Sequence, residues 1–288
     1  MSALPTLKYY NGFPLSPAVD ANWVAELIEG GFQLYSDDVL IVTYPKSGTT
    51  WTQQVVSLIR GLPRGQEETH VTNSIPWLEK SKDVTLSLPS PRSFKCHLPY
   101  HMVARGTPAD SVAKYIYVIR NPKDVAVSFY HHTKRYNDST YHFTGDWNDY
   151  FELFLKGEVD FGSWFDHVLG WLAHKDAENI LFLKYEDMKA DLRGTVKSIS
   201  QFMGYSLDES VIDRITEQST FENMRSDPSA NPDSLSSIKA KITKNSTPFL
   251  RKGIVGDWKN HFSDEQSARL DAEYAKRMAG SGLELRYE

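Results

Sequence analysis

An α/β fold, with a mostly parallel central sheet flanked by helices, is the architecture this sequence predicts, on three observations. Short apolar runs rich in β-branched and aromatic residues, at residues 39–42, 114–119 and 179–183, read as buried strands. Segments with helical apolar spacing follow them, the alternation that produces parallel strands joined by crossover helices. No repeat and no linker splits the 288 residues into two cores, so residues 1–288 read as a single domain.

The elements follow in order. Ser16-Pro17 reads as the N-cap and first position of a helix whose buried stripe is Val19, Trp23, Leu27 and Ile28, with Gly30-Gly31 ending it. Strand 39–42 runs into Thr43-Tyr44-Pro45-Lys46-Ser47-Gly48-Thr49-Thr50-Trp51, after which Trp51, Val55, Leu58 and Ile59 recur at helical spacing. Residues 61–91 are turn-rich. Within them Ile75-Pro76-Trp77-Leu78 is an apolar knot that either anchors the loop to the core or walls a substrate pocket. A short strand covers 92–97. Strand 114–119 ends at Arg120, and Asn121-Pro122 cap and open a helix reaching about Arg135. Residues 136–147 are polar and aromatic, and helical patterns follow around 147–156 and 163–175. Strand 179–183 leads into Lys184-Tyr185-Glu186-Asp187. Helices then span about 191–203 and 207–218, the second opened by Ser206-Leu207-Asp208-Glu209 as a capping box. Residues 225–247 are rich in Ser, Asn and Lys and predict a mobile loop, a functional lid or a disordered segment. Ser263-Asp264-Glu265-Gln266 opens a last helix, with Gly280 and Gly282 beyond its end.

Composition narrows the function classes. A 40% hydrophobic share supports a sizeable core. A net charge of −5 and a pI near 6.0 argue against a general nucleic-acid or acidic-membrane binder. The single Cys96 excludes an internal disulfide and suits a reducing compartment. No apolar run approaches the ~18 residues of a membrane helix. The start, Met1-Ser2-Ala3-Leu4-Pro5, has neither a signal-peptide nor a myristoylation pattern. A soluble cytoplasmic protein is the expectation.

The turn at 43–51 joins a buried strand to a helix, which leaves backbone N–H groups unpartnered at the positive end of the helix dipole. Gly48 allows close backbone approach, Lys46 adds a charge, and Ser47, Thr49 and Thr50 add hydroxyls. A plain strand–helix connection with a solvated lysine is the competing reading. The loop is not a Walker A sequence, because its lysine precedes its glycine. In a parallel sheet, ligands bind beyond the C-terminal strand ends. That rim collects Lys46, then Lys95 and His97, then Arg120, then Tyr185. His97 is a candidate general base, since neutral imidazole can take a hydroxyl proton near physiological pH. A strand-end histidine satisfied by a backbone carbonyl is the plainer alternative. Cys96 points to the opposite face and reads as core. No metal is assigned. His131 and His132 face apart on a helix, Pro99 separates His97 from His101, and no cysteines or paired carboxylates complete a set. Arg120 suits a phosphate, which its planar fork can hold. Phe249-Leu250-Arg251-Lys252-Gly253 reads as a second phosphate clamp.

Five segments carry a resemblance. Pro45-Lys46-Ser47-Gly48-Thr49-Thr50-Trp51, Lys95-Cys96-His97-Leu98-Pro99, the run from Arg120 through Ser128, Tyr185-Glu186-Asp187-Met188 and the run from Arg251 through Trp258 resemble motifs of the cytosolic sulfotransferases, in that family's order and over nearly the whole chain. The resemblance implies that residues Lys46, Ser47, Gly48, Thr49, Thr50 and Trp51 cradle the 5′-phosphosulfate and adenine of PAPS (3′-phosphoadenosine 5′-phosphosulfate). It gives the 3′-phosphate to Arg120, Ser128, Arg251, Lys252 and Gly253. Tyr185, Ser219, Phe221 and Met224 would line the adenosine. His97 would be the catalytic base, with Lys95 and Lys46 on the transferring group, and PAP the nucleotide product. The family's dimer segment reads Lys, three residues, Thr-Val, three residues, Glu. The stretch 259–268 keeps only Lys259, so the resemblance leaves a homodimer open while its usual dimer segment is poorly matched.

Two other classes compete. A P-loop-type kinase of a small hydroxyl compound would need the absent Walker A order and a strand-end acid for Mg²⁺, for which Asp187 is a weak candidate. A non-catalytic nucleotide-binding module would leave His97 beside Lys95 without a purpose. For the small-molecule acceptor, Trp77, Tyr100, Tyr141 and Phe143 are candidate aromatic walls that favour a flat phenol or a steroid-like molecule. Asp146 could attract an amine, although a solvated loop acid is the simpler reading.

Overall fold

A computed structural model of the chain describes residues 5–80, 82–103, 111–136, 141, 143–244 and 246–288. The start at Met1 to Leu4 and one position of the 225–247 segment, Asn245, lie outside the described residues. Strands are β1 Lys8–Tyr10, β2 Phe13–Leu15, β3 Val39–Thr43, β4 Ser93–Cys96, β5 Lys114–Ile119 and β6 Ile180–Lys184. Helices are α1 Ala21–Ile28, α2 Thr49–Ile59, α3 Val71–Ser74, α4 Lys82–Ser87, α5 Pro122–Arg135, α6 Trp147–Lys156, α7 Trp164–Leu172, α8 Tyr185–Ala190, α9 Leu192–Phe202, α10 Glu209–Gln218, α11 Phe221–Ser226, α12 Ser236–Lys239 and α13 Asp264–Arg277.

The central sheet has the order β4-β3-β5-β6, and every pairing in it is parallel. Because side chains alternate along a strand, β3 and β5 feed two cores. Leu40, Val42, Tyr115 and Tyr117 join the cluster that takes in α1, α6 and α7. Val39, Ile41, Ile116 and Val118 join Val55 and Val56 of α2, Val196 and Ile199 of α9, and Ile212 and Ile215 of α10. Helices pack on both faces, and because all pairings are parallel the four strands end on one rim. Cys96 lies in the first core. Among the described residues no helix is long and apolar enough to cross a membrane.

Three local readings change. The first helix is capped by Asp20, whose Oδ1 accepts from Asn22 N (2.9 Å), and it begins at Ala21. Ser16 instead turns its hydroxyl toward Ala18 N and Tyr141 Oη. Before it, β1 and β2 form an antiparallel hairpin around Asn11-Gly12, both at positive φ. Asn-Gly is a strong hairpin signal that the sequence reading passed over. Helix α10 is preceded by Asp208, which makes no side-chain cap bond, so the capping box at Ser206 does not form. Residues 225–247 contain the end of α11, a 3-10 turn at Pro232–Ser234, and α12. The readings at Asn121-Pro122 and Ser263 hold, with Asn121 Oδ1 capping Asp124 N and a complete Ser263/Gln266 capping box.

Candidate active site

The site starts where β3 stops. Thr43 Oγ1 lies 2.7 Å from Thr49 Oγ1, which fastens the strand end to the first turn of α2. Between them the chain turns through two left-handed residues, Lys46 at φ 71° and Gly48 at φ 111°. At Gly48 the glycine is required, since a Cβ would meet Tyr185 Cδ2 at 3.0 Å. Lysine at a left-handed φ is uncommon and marks a strained loop. It aims the Lys46 ammonium at His132 Nδ1 (3.3 Å) and over the Phe249 ring at 4.2 Å.

One cavity of about 330 Å³ opens on this loop. Lys46, Gly48, Thr49, Thr50 and Trp51 line it, as do Lys95, His97, Arg120 and Ser128. Tyr185, Phe221, Met224, Arg251, Lys252 and Gly253 line it too, with Trp77 and Tyr141. Segments more than 200 positions apart in sequence thus meet at one void. Ser47 and Ser219 sit behind its wall, each with a buried hydroxyl lacking a hydrogen-bond partner. The Ser219 carbonyl accepts from Trp51 Nε1 at 2.7 Å.

Cations dominate this cavity. Burial, and then the nearby charges of Arg135, Lys95, Arg120 and Arg251, drive the Lys46 pKa well below the usual lysine value. Burial and Lys80 bring Lys95 down to about 8, with Glu79 opposing. Arg120 donates to the carbonyls of Lys46 (3.2 Å) and Ile254 (3.1 Å), lies over the Tyr185 ring at 4.2 Å, and leaves its buried Nε unpaired. Mutually repelling cations and an unpaired donor are what a bound polyanion would satisfy.

The turn after residue 250 is built by Asp124 of α5, whose carboxylate accepts from Gly256 N (2.9 Å) and Trp258 N (3.0 Å). Gly253 sits at φ +64°, where a Cβ would meet Phe221 Cδ2 at 2.3 Å, so glycine lets this turn close onto α11. Asp257 ion-pairs with Arg251 and Lys252, each at 2.5 Å. Burial raises its pKa, yet the hydrogen bonds from Lys252, Asn260 and Arg251 prevail and hold it at about 2.

His97 lies one residue past β4. Its N–H donates to Glu79 Oε1 (2.6 Å), and its Nδ1 faces the Thr43 carbonyl at 2.9 Å. A carbonyl can only accept, so Nδ1 carries the proton and Nε2 keeps the lone pair. Burial, with Lys95 next, lowers its pKa well below 6.5, so the ring is neutral at physiological pH. Trp77 stands edge-on to it at 5.3 Å between ring centroids, and Phe161 lies at 5.4 Å. The knot at 75–78 is both anchor and wall: Lys95 N donates to Pro76 O, Leu78 N donates to Lys95 O, and Trp77 lines the cavity.

Two expected wall residues lie elsewhere. Tyr100 stacks on His174 at 3.7 Å and packs against Trp171, because the 3-10 turn after Pro99 carries it into the core. Phe143 packs edge-on against Tyr150, in the same core. Neither lines the cavity. Asp146 caps α6 in a capping box with Asp149 and does not line the cavity. His131 contacts His261, while its neighbour His132 contacts Lys46. Among the described residues no group of three His, Cys, Asp or Glu side chains could hold a metal ion. The sequence reading missed Phe161 and Asp160, weighed His132 only as a metal ligand, and took Phe249 only as the start of the clamp run rather than as a partner of Lys46.

Fold and site together define an α/β protein with an anion-binding strand–loop–helix beside a histidine. A family model described as a sulfotransferase domain matches residues 36–282. Sulfotransferase 1C2 of Rattus norvegicus is 40% identical over 293 residues, covering 98% of this chain and 96% of that protein. The amine sulfotransferase of Oryctolagus cuniculus is 42% identical over 252 residues, covering 86% and 82%. The crystal structure of mouse sulfotransferase SULT7A1 complexed with PAP superposes with a TM-score of 0.78 at 32% identity, covering 96% of this chain and 95% of that one. The chain belongs to the sulfotransferase family.

Proposed function

We propose that this chain transfers the sulfonate of PAPS to a hydroxyl or amine of a small acceptor, with His97 as general base. The observation that carries the proposal is that one cavity holds both the group of cations and a neutral imidazole whose Nε2 is free to accept a proton. The donor nucleotide supplies an activated sulfonate on a phosphate leaving group. His97 Nε2 takes the acceptor's proton as its oxygen or nitrogen approaches sulfur. Lys46, Lys95 and the N–H groups at the start of α2 face the oxygens on which negative charge grows. Arg120, Ser128 and the 251–253 turn hold the 3′-phosphate, and Trp51, Tyr185, Phe221 and Met224 enclose the base and ribose. Trp77 and Tyr141 wall the acceptor.

The chain works as one domain in this reading. Thr6 N donates to Tyr141 O (2.7 Å) and Trp258 Nε1 to Tyr287 O (2.9 Å), so both ends pack onto the body that carries the cavity. Within the family's dimer segment, Gln266 is held inside the molecule by Trp147 Nε1 (2.9 Å) and Asn148 Oδ1 (2.9 Å), which argues against that mode of pairing. The resemblance to the cytosolic sulfotransferases is what supports a cytosolic location, and among the described residues no helix is long and apolar enough to cross a membrane. The test is turnover with labelled PAPS against a panel of phenols, steroids, amines and alcohols, alongside calorimetry with PAP. Absence of both PAP binding and transfer to every acceptor class would refute the reading.

A further inference from the structure

Asp160 is a charged group of the cavity that the reaction above does not use. It is 2% exposed, and among the described residues it is the one carboxylate lining a cavity otherwise charged by lysines and arginines. Its Oδ2 accepts from Tyr141 Oη at 2.6 Å, and Tyr141 Oη lies 3.2 Å from Ser16 Oγ. The neighbours that act on it are these two hydroxyls and its own amide, with no cation among them. Burial therefore pushes its pKa up to about 6, because the hydroxyls compensate only in part. A buried carboxylate without a cationic partner is an expensive thing to keep in a core.

The backbone holds it there under strain. Phe161, the next residue, sits at φ 63°, where a bulky side chain is an outlier. Its N–H donates to Pro14 O (2.9 Å), and the following carbonyl, of Gly162, accepts from Tyr44 Oη (2.8 Å), so the kink is fixed from two sides. The kink sets the Phe161 ring against His97 and against Trp77, at 5.4 Å and 6.2 Å between ring centroids. The lone carboxylate is thus one residue along the chain from a ring that touches the candidate base.

The geometry points to an acceptor that carries an ammonium group in addition to the hydroxyl that is sulfonated, the ammonium pairing with Asp160 while the hydroxyl lies at His97 Nε2. The inference rests on the sulfotransfer reading above and names its substrate class. A protonated amine has no lone pair, so the nitrogen held by Asp160 is not the atom that attacks sulfur. The new bond joins the acceptor oxygen to sulfur, the bond between sulfur and the bridging phosphate oxygen of PAPS breaks with PAP leaving, the hydroxyl proton goes to His97, and the product is an O-sulfate.

The experiment uses the full chain, PAPS and three probes of increasing length: 4-hydroxybenzylamine, tyramine and 3-(4-hydroxyphenyl)propylamine. Each is compared with its N-acetyl counterpart, which has the same phenol and no charge. For at least one length, kcat/KM for the amine should exceed that of the amide by about 10–100-fold, mostly through KM, as a charged hydrogen bond predicts. Mass spectrometry should find the O-sulfate. Asp160→Asn should bring that ratio close to one. Asp160→Ser, which still offers Tyr141 an acceptor, serves the same purpose should the amide variant fail to fold. Equal use of amine and amide at all three lengths overturns the inference, as does a sulfamate product. An Asp160 variant that loses both substrates in proportion overturns it too, by showing that Asp160 only braces Tyr141. Transfer to the amides with no preference for the amines removes this inference alone. Absence of PAP binding and of all transfer removes the sulfotransfer reading and this inference with it.

Discussion

His97 shows how one hydrogen bond sets the chemistry a residue can do. The Thr43 carbonyl fixes the proton on Nδ1, and burial keeps the ring neutral. His97→Ala should therefore lower turnover by about 10²–10⁴-fold while PAP binding stays nearly intact. Wild-type kcat in this variant with a good phenolic acceptor would exclude it as the base. The same pKa directions predict the pH profile of kcat/KM, which reports the free enzyme. His97 must be neutral, and its lowered pKa puts the acid limb well below pH 6.5. Lys95 must be charged, and its pKa of about 8 means that its charge is lost as pH rises through that value, giving an alkaline limb there. Lys95→Arg should move that limb upward, and an unmoved limb would assign it to another group, the likewise lowered Lys46 included. At this scale the sequence was readable wherever a motif fixed a residue type, as at His97 and Lys46. It was not readable for Asp160, which belongs to no periodic pattern and gains its meaning only from burial beside Tyr141.

Among the elements, the strand–loop–helix of β3 and α2 was the most legible, because a fully buried strand, a required glycine and a helical stripe are all local signals. Tyr100 and Phe143 failed as wall residues for the opposite reason. An aromatic in a turn faces the cavity or the core according to the tertiary path of that turn, and nothing local records it. The turn at 251–258 depends on a residue from another element, Asp124, which holds two of its N–H groups. Asp124→Ala should leave those donors unpaired and cost about 1–3 kcal/mol per group, seen as a lowered denaturation midpoint and weaker PAP binding. Unchanged PAP affinity would mean that the turn shapes itself. Arg251→Ala should weaken PAP by roughly 10–100-fold while barely changing binding of the analogue that lacks the 3′-phosphate. Calorimetry with both nucleotides separates phosphate reading from a loss of fold, which would affect the two equally.

For the molecule as a whole, the parallel sheet explains why distant segments converge, since every strand of it delivers its end to one rim. That convergence follows from the parallel direction of the strands, which the alternation of strands and helices in the sequence predicted. The field inside the cavity did not follow, because it depends on which cations lack partners. It carries its own prediction. Lys46 and Lys95 have lowered pKa values in the ligand-free protein. A bound polyanion raises them, so near pH 8 the complex holds more protons than its free components and PAP binding takes up protons. Calorimetry at pH 8 in two buffers of different ionisation enthalpy measures that uptake, and buffer-independent heats would contradict it.

Asp257 gives this field a further consequence. On the proposed assignment of the 3′-phosphate to the 251–253 turn, Asp257, ion-paired with Arg251 and Lys252, is a resident counter-ion with which an arriving phosphate competes. Such a site resists casual occupation. Chloride or inorganic sulfate, which can contact only this one end, gains little over the incumbent. A nucleotide anchored at the same time on the β3–α2 loop reaches the clamp at high effective concentration and can win the exchange. On that reading the clamp would act as a filter, favouring a molecule long enough to span both ends over the cell's small-anion background.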